Sequence, residues 1–228
     1  TKSGVSGSRS EEDLAKAAEY AKDVIDNSGR TLMPNYSDLF RLSGYNATGE
    51  CLISWLWSAG RDPWTQQNTL QSDLAMVGFD EFGDCWGGYA GISYDLQLAF
   101  GATSLMDPSQ RPSTDTRRKA TYMQAGDKYE YFWTNKGGFD YLRFLHDKDY
   151  APGSNSGLQS ATGANIAKHL YGNNEDHKRI YGISSNKQCT SLSTHVLRLS
   201  DVYLIYAEAV IGNNGSTSDR SACEAFYT

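Results

Sequence analysis

The chain has 228 residues, 27 acidic and 21 basic, for a formal net charge of −6, and is 39% hydrophobic. That length suits one sizeable domain or two small ones. The acidic balance, with no run of Lys or Arg, argues against a nucleic-acid partner, and no stretch approaches the roughly 18 consecutive apolar residues of a membrane helix. Aromatic residues are the compositional anomaly, at 15 Tyr, 8 Phe and 5 Trp. They suit either a core rich in Tyr and Trp or a surface that stacks on sugar rings. The four cysteines, at 51, 85, 189 and 223, form no C-x-x-C pair, which excludes a zinc ribbon or a thioredoxin motif. They read as buried thiols, since a chain this long can build a core without disulfides.

The first predicted element is a helix over about 10–28. Ser10 followed by Glu11, Glu12 and Asp13 is a capping pattern with acids at the positive end of the helix dipole. Leu14, Ala17, Ala18, Ala21, Val24 and Ile25 form its apolar stripe, and Asn27-Ser-Gly29 ends it. Pro34 breaks the chain, and Tyr36 to Leu42 suits a short helical turn. Residues 43–92 hold Trp55, Trp57, Trp64 and Trp86 with little sustained periodicity, so a functional loop region is expected there. Tyr94 to Phe100 predicts a short helix closed by Gly101. Arg117–Gln124 and Lys128–Trp133 read as extended segments of a hairpin around Gly126-Asp127. Residues 147–165 read as loop, and residues 172–194 carry no clear pattern. The last well-formed helix is predicted over about 194–212, stopped by Gly212-Asn-Asn-Gly215. A further helix over about 218–228 reaches the last residue. Neither terminal helix has an evident partner, so the chain reads as a fragment of a larger protein.

The final helix carries a distinctive wording, Val196-Leu-Arg-Leu-Ser-Asp-Val-Tyr-Leu-Ile-Tyr-Ala-Glu-Ala-Val210. Upstream come Ala17-Ala-Glu-Tyr-Ala-Lys-Asp-Val-Ile25, then Leu32, Pro34, Tyr36 and Leu39-Phe40. Glu50-Cys-Leu-Ile53, Tyr94-Asp-Leu-Gln-Leu-Ala-Phe100 and Asp115-Thr-Arg-Arg118 follow. This ordered set resembles the SusD/RagB family, the surface glycan-capturing lipoproteins of gut-type Bacteroidetes. Ser200 stands where that family usually has Ala, a small-for-small exchange expected to leave packing undisturbed.

The resemblance implies a mainly α fold, a TPR-like helical scaffold with long irregular loops and minor β segments. No repeat period shows that architecture in the sequence itself. It implies a single partial domain over 1–228, with the ligand face in the loop-rich residues 30–193. It further implies non-catalytic binding of oligosaccharide or polysaccharide at the outer membrane, on the cell-surface side. Delivery to a SusC-like TonB-dependent transporter would follow. Membrane association would come only from a lipid anchor absent from this chain, and no cofactor or metal is implied.

A sugar ring offers C–H bonds on one face, which Trp and Tyr cover, and hydroxyls at its rim, which planar polar side chains hydrogen-bond. Two stretches fit. In Gly60-Arg-Asp-Pro-Trp-Thr-Gln-Gln-Asn68, Pro63 sets Trp64 on a loop among Arg61, Asp62, Gln66 and Asn68. In Asp84-Cys-Trp-Gly-Gly-Tyr89, glycines let a ligand approach the backbone beside Trp86 and Tyr89. Trp57 alternates with Trp55 along an expected strand, so at most one of them faces a ligand. Trp133, with Tyr129 and Tyr131, reads as structural.

Two other readings stay open. A glycoside hydrolase needs two carboxylates across the scissile bond, and Asp80, Glu81 and Asp84 cluster beside Trp86, with Glu50 a further candidate. Clustered acids are more often a solvated loop. A helical-repeat interaction module would use the aromatics against protein. No catalytic residue is assigned. The four histidines show no metal-ligand spacing, and Asp176-His177 reads as a surface pair.

Overall fold

Helix α1 (Glu11–Asn27) begins where Ser10 accepts a hydrogen bond from the Asp13 amide, and three acids occupy its first turn. The structure is a computed structural model that describes residues 9–41, 49–58, 68–80, 85, 87, 91–102, 115–152, 160–185 and 190–214. The helix expected over 218–228 lies outside them. The chain divides into two compact units, one of residues 1–33, 48–55 and 195–228, the other of residues 34–47 and 56–194.

In the first unit, strand β1 (Cys51–Trp55) pairs with strand β6 (Thr194–Arg198), and β6 runs directly into helix α7 (Leu199–Ile211). The sequence predicts helix from 194, whereas helix starts at 199. Thr194 and Val196 are β-branched and favour the extended pairing. The Asp201 carboxylate accepts the Arg198 amide at 2.9 Å and so caps the helix five residues later than expected. Helix α1 packs on α7, and small residues bring the two close, since Ala21, Ala207 and Ala209 are all buried. Gly212, at φ +60°, closes α7 where a side chain would be strained. Arg9 latches the pair by donating to the Gly212 carbonyl at 2.9 Å and pairing with Glu208.

Beneath these helices Glu50 is 3% exposed. Its carboxylate accepts from the Met33 amide (3.0 Å), the Arg198 guanidinium (3.1 Å) and the Ser200 hydroxyl (2.7 Å). Ser200 is therefore more than a small filler, because its hydroxyl completes the shell of a buried charge.

The second unit holds helices α2 (Leu70–Leu74), α3 (Tyr94–Ala99), α4 (Arg117–Thr121), α5 (Tyr141–His146) and α6 (Asn174–Tyr181), with a 3-10 turn at Tyr36–Phe40. Strand β2 (Tyr122–Gln124) pairs antiparallel with β5 (Ala164–Ile166), Met123 facing Asn165. Strand β3 (Lys128–Tyr129) pairs antiparallel with β4 (Phe139–Asp140). Short helices and strands of this kind are the expected mainly helical scaffold with minor β segments.

The hairpin around Gly126-Asp127 does not form. Arg117–Thr121 is helical, and the Asp127 carboxylate draws the turn back by accepting the Gln124 amide at 2.9 Å and pairing with Arg118. Helices α5 and α6 were not legible in the sequence. Both are short, with caps supplied by Asp140 and Asn173.

The core of this unit is aromatic. Phe79, Phe132, Trp133, Phe139, Phe144 and Tyr150 pack with ring centroids 5.0 to 6.4 Å apart, mostly edge to face. Trp133 is 1% exposed, the structural role the sequence suggested. It sits at φ +52°, a left-handed conformation rare for a bulky residue. Asp176 holds it there. One carboxylate oxygen accepts the Trp133 amide (2.7 Å) and the Asn173 amide (2.9 Å). The other accepts the Thr134 amide (2.9 Å) and hydroxyl (2.6 Å). Asp176 and His177 are 1% and 0% exposed, so the expected surface pair is instead central to the core.

His177 is held in one tautomer. Nδ1–H donates to the Ile183 carbonyl at 2.9 Å, and Nε2 accepts the Ser191 amide at 3.1 Å. Burial holds its pKa below the ordinary 6.5, and protonation would set two N–H groups against each other. Since the unfolded chain takes up the proton first, stability is full above pH 6.5 and declines as pH falls through the lowered folded pKa. Urea midpoints measured across that range should fall with acidity, and His177→Gln should flatten the slope. In the same assay Asp176→Ala, which strips acceptors from three backbone amides, should cost about 3 kcal/mol or more. A loss below about 1 kcal/mol would contradict the role given to this carboxylate.

Candidate functional site

The segment carrying Trp64 is rooted at both ends on one stretch of the second unit. At one root, the indole of half-buried Trp57 donates to the Thr194 hydroxyl at 3.0 Å. At the other, the Asn68 carbonyl accepts the Thr190 amide at 3.1 Å, and the Asn68 side chain donates to the Leu192 carbonyl at 3.0 Å. Residues 190–194 therefore gather the two ends, which shortens the span the segment must close.

Asn68 is 3% exposed, and its side-chain oxygen accepts the Leu70 amide at 2.9 Å, which starts helix α2. Both ends of its amide are thus engaged within the fold. Its place is that of a loop anchor, and the sequence reading of Asn68 as a ligand partner is corrected accordingly. Trp64, Arg61, Asp62 and Gln66 lie outside the described residues.

The second aromatic stretch is pinned from within. Cys85 is 2% exposed in the aromatic core, as a free thiol. At Gly87 a Cβ would come within 1.8 Å of the Asp73 carbonyl oxygen, so only glycine fits. Gly91 bridges to Asn165, and the Ile92 amide donates to the Ala164 carbonyl at 3.3 Å. Trp86 and Tyr89 lie outside the described residues. Cys51 is also a buried free thiol, while Cys189 and Cys223 fall outside the description.

Of the carboxylates considered for hydrolysis, Glu50 is enclosed in the first unit by the contacts given above. Asp80 is 1% exposed and accepts the Tyr171 hydroxyl at 2.5 Å. Burial, with the Asp80 charge, pushes the Tyr171 phenol well above its usual range, so it stays protonated as donor. Glu81 and Asp84 lie outside the described residues. Among the described residues, no group of three His, Cys, Asp or Glu is placed to hold a metal ion, and no helix is long and apolar enough to cross a membrane.

Residues 190–194 and Asn165 were not singled out from sequence. They act through contacts far away in the chain, and no local periodicity marks them. The one local signal was the pair of glycines after Trp86.

Comparison with known proteins gives the chain's family. A profile of the SusD family matches residues 93–228. The chain belongs to the SusD family. A SusD-like protein of Bacteroides ovatus is 36% identical over 215 residues, covering 93% of this chain and 33% of its own length. The chain thus spans about a third of that curated relative. A solved structure with a xylogluco-oligosaccharide is 32% identical, with TM-score 0.71, covering 97% of this chain and 38% of that one. Surface glycan-binding protein A of Bacteroides thetaiotaomicron, solved in complex with laminarihexaose, shares the fold at 18% identity and TM-score 0.60, covering 95% of this chain and 43% of that one. The helical, TPR-like SusD fold is thereby this chain's fold.

Proposed function

We propose that the chain is the part of a SusD-like protein that captures oligosaccharide without cleaving it. The observation that carries this reading is the 32% identical, xylogluco-oligosaccharide-bound structure that matches 97% of the chain. Trp64, Trp86 and Tyr89 supply the stacking platform, half-buried Trp57 bounds it at the root, and Arg61, Asp62 and Gln66 take the hydroxyl rim. The rooted ends support this assignment, since a platform whose ends are already held loses less entropy on binding. A few stacking contacts give modest affinity, and modest affinity lets the ligand pass inward.

In the full-length protein the ligand goes to a SusC-like TonB-dependent transporter, at the cell-surface side of the outer membrane, where a lipid anchor holds the protein. Clustered acids near Trp86 take no catalytic part in this account.

Titration of intrinsic Trp fluorescence with xyloglucan and laminarin oligosaccharides should give a saturable change, weakened by about tenfold or more in Trp64→Ala. Unchanged binding in Trp64→Ala would refute the platform. Release of new reducing ends would refute non-catalytic capture and favour the hydrolase.

A further inference from the structure

The second unit carries a cleft of about 280 Å³, lined by Tyr36, Ala99, Phe100, Asp115, Arg117 and Thr121. None of these residues belongs to the Trp64 platform. The two aromatic walls are buttressed from behind. Tyr36 packs edge-on to Phe40 with centroids 5.2 Å apart, and Phe100 packs edge-on to Tyr122 at 5.7 Å. Both rings therefore keep their orientation without a ligand.

The polar wall is equally fixed. Asp115 accepts from Arg117 at Nε (2.9 and 3.1 Å), at Nη2 (2.6 Å) and at the backbone amide (2.9 Å). One edge of the guanidinium is thereby occupied. The other edge, Nη1 and the second Nη2 hydrogen, meets no acceptor among the described residues, and the Arg117 side chain is 63% exposed. Thr121 donates to the Arg117 carbonyl at 2.8 Å, which leaves its oxygen lone pairs for an incoming hydroxyl. The neighbouring Arg118 has a different task, since Asp127 takes both of its terminal nitrogens and turns it inward. Asp115-Thr-Arg-Arg118 thus holds one arginine for the fold and one with an open face.

We propose that this cleft is a separate sugar subsite, sized for one neutral pyranose and read by the open edge of Arg117. Two fixed rings with a planar donor edge suit a ligand with apolar C–H faces and a hydroxyl rim. At about 280 Å³ the cleft lies just below the ~300–1,000 Å³ range of small-molecule pockets, which suits one ring rather than a chain. Asp115 cancels the Arg117 charge, so an anion gains little there and meets a carboxylate. Lys168 sits 4.5 Å over the Phe40 ring and 5.9 Å over the Tyr36 ring, and does not itself line the cleft.

The test uses the full chain carrying Trp64→Ala, so that failure of the platform and failure of this subsite are read separately. Amide and Arg Nε–H NMR signals are followed during titration with methyl glucoside, galactoside and xyloside, and with methyl glucuronoside. The expected result is saturable shifts at Arg117, Phe100 and Thr121 with a Kd of roughly millimolar for a neutral sugar. Arg117→Met, an exposed change that leaves the core untouched, should weaken binding by about tenfold. Asp115→Asn should keep neutral-sugar binding and strengthen that of the glucuronoside. Absence of saturable shifts with every neutral sugar, binding unchanged in Arg117→Met, or tighter binding of the glucuronoside by the Asp115-containing chain would each overturn the proposal.

Discussion

A buried backbone amide needs an acceptor, and in the larger unit of this protein regular secondary structure supplies too few. Its described strands are two or three residues long, and its helices reach eight residues at most. The remaining demand falls on buried polar side chains. Asp176 serves the Trp133, Thr134 and Asn173 amides. Gln71 does the same for its neighbours, accepting from the Tyr171 and Gly172 amides at 2.7 and 3.1 Å and donating to the Gly172 carbonyl at 2.7 Å. The aromatic core supplies the burial energy, and these side chains give the loops one conformation over it. A left-handed residue as large as Trp133 costs about 1–3 kcal/mol, and it persists because the carboxylate, the ring contacts and an indole hydrogen bond to the Phe79 carbonyl at 2.9 Å agree on its position.

The first unit solves the same problem with one buried charge. Its described α-helices meet through alanines and its described strands form only a ribbon, which is marginal alone. Glu50 ties Met33, Arg198 and Ser200 together, and its carbonyl accepts the Leu199 amide at 2.9 Å. The strand-to-helix junction is thus fastened from both its side chain and its backbone. Such a contact gives registry more than net stability, because the carboxylate lost its water on burial.

Helices α1 and α3 and the 3-10 turn were legible because each is local, with caps, stripes and stop signals within a few residues. The start of α7 was not, since its apolar pattern continues back through β6 and the switch is made by Asp201 capping Arg198. The expected hairpin failed for a related reason, as Asp127 faces Arg118 and a strand partner 40 residues away replaces the adjacent one. Trp57 and Asn68 read from sequence as ligand residues, and the structure gives each a hydrogen-bonding partner in residues 190–194. A buried asparagine and a surface one are spelled alike, and only the long-range partner at residues 190–194 tells them apart. Polar residues in a loop-rich unit of this kind are poor guides to the ligand, because many are engaged in holding the backbone.

These anchors also connect fold to function. The proposed sugar-stacking platform gains most if its roots are ordered before ligand arrives, and the described roots at Trp57 and Asn68 are held by side-chain hydrogen bonds. Amide hydrogen exchange read by NMR is the direct test. The Trp133, Thr134, Tyr171, Gly172 and Asn173 amides should exchange as slowly as the core of helix α5, although none of the five lies in an α-helix or strand. Exchange at the rate of exposed loop amides would contradict the claim that buried side chains hold this unit together.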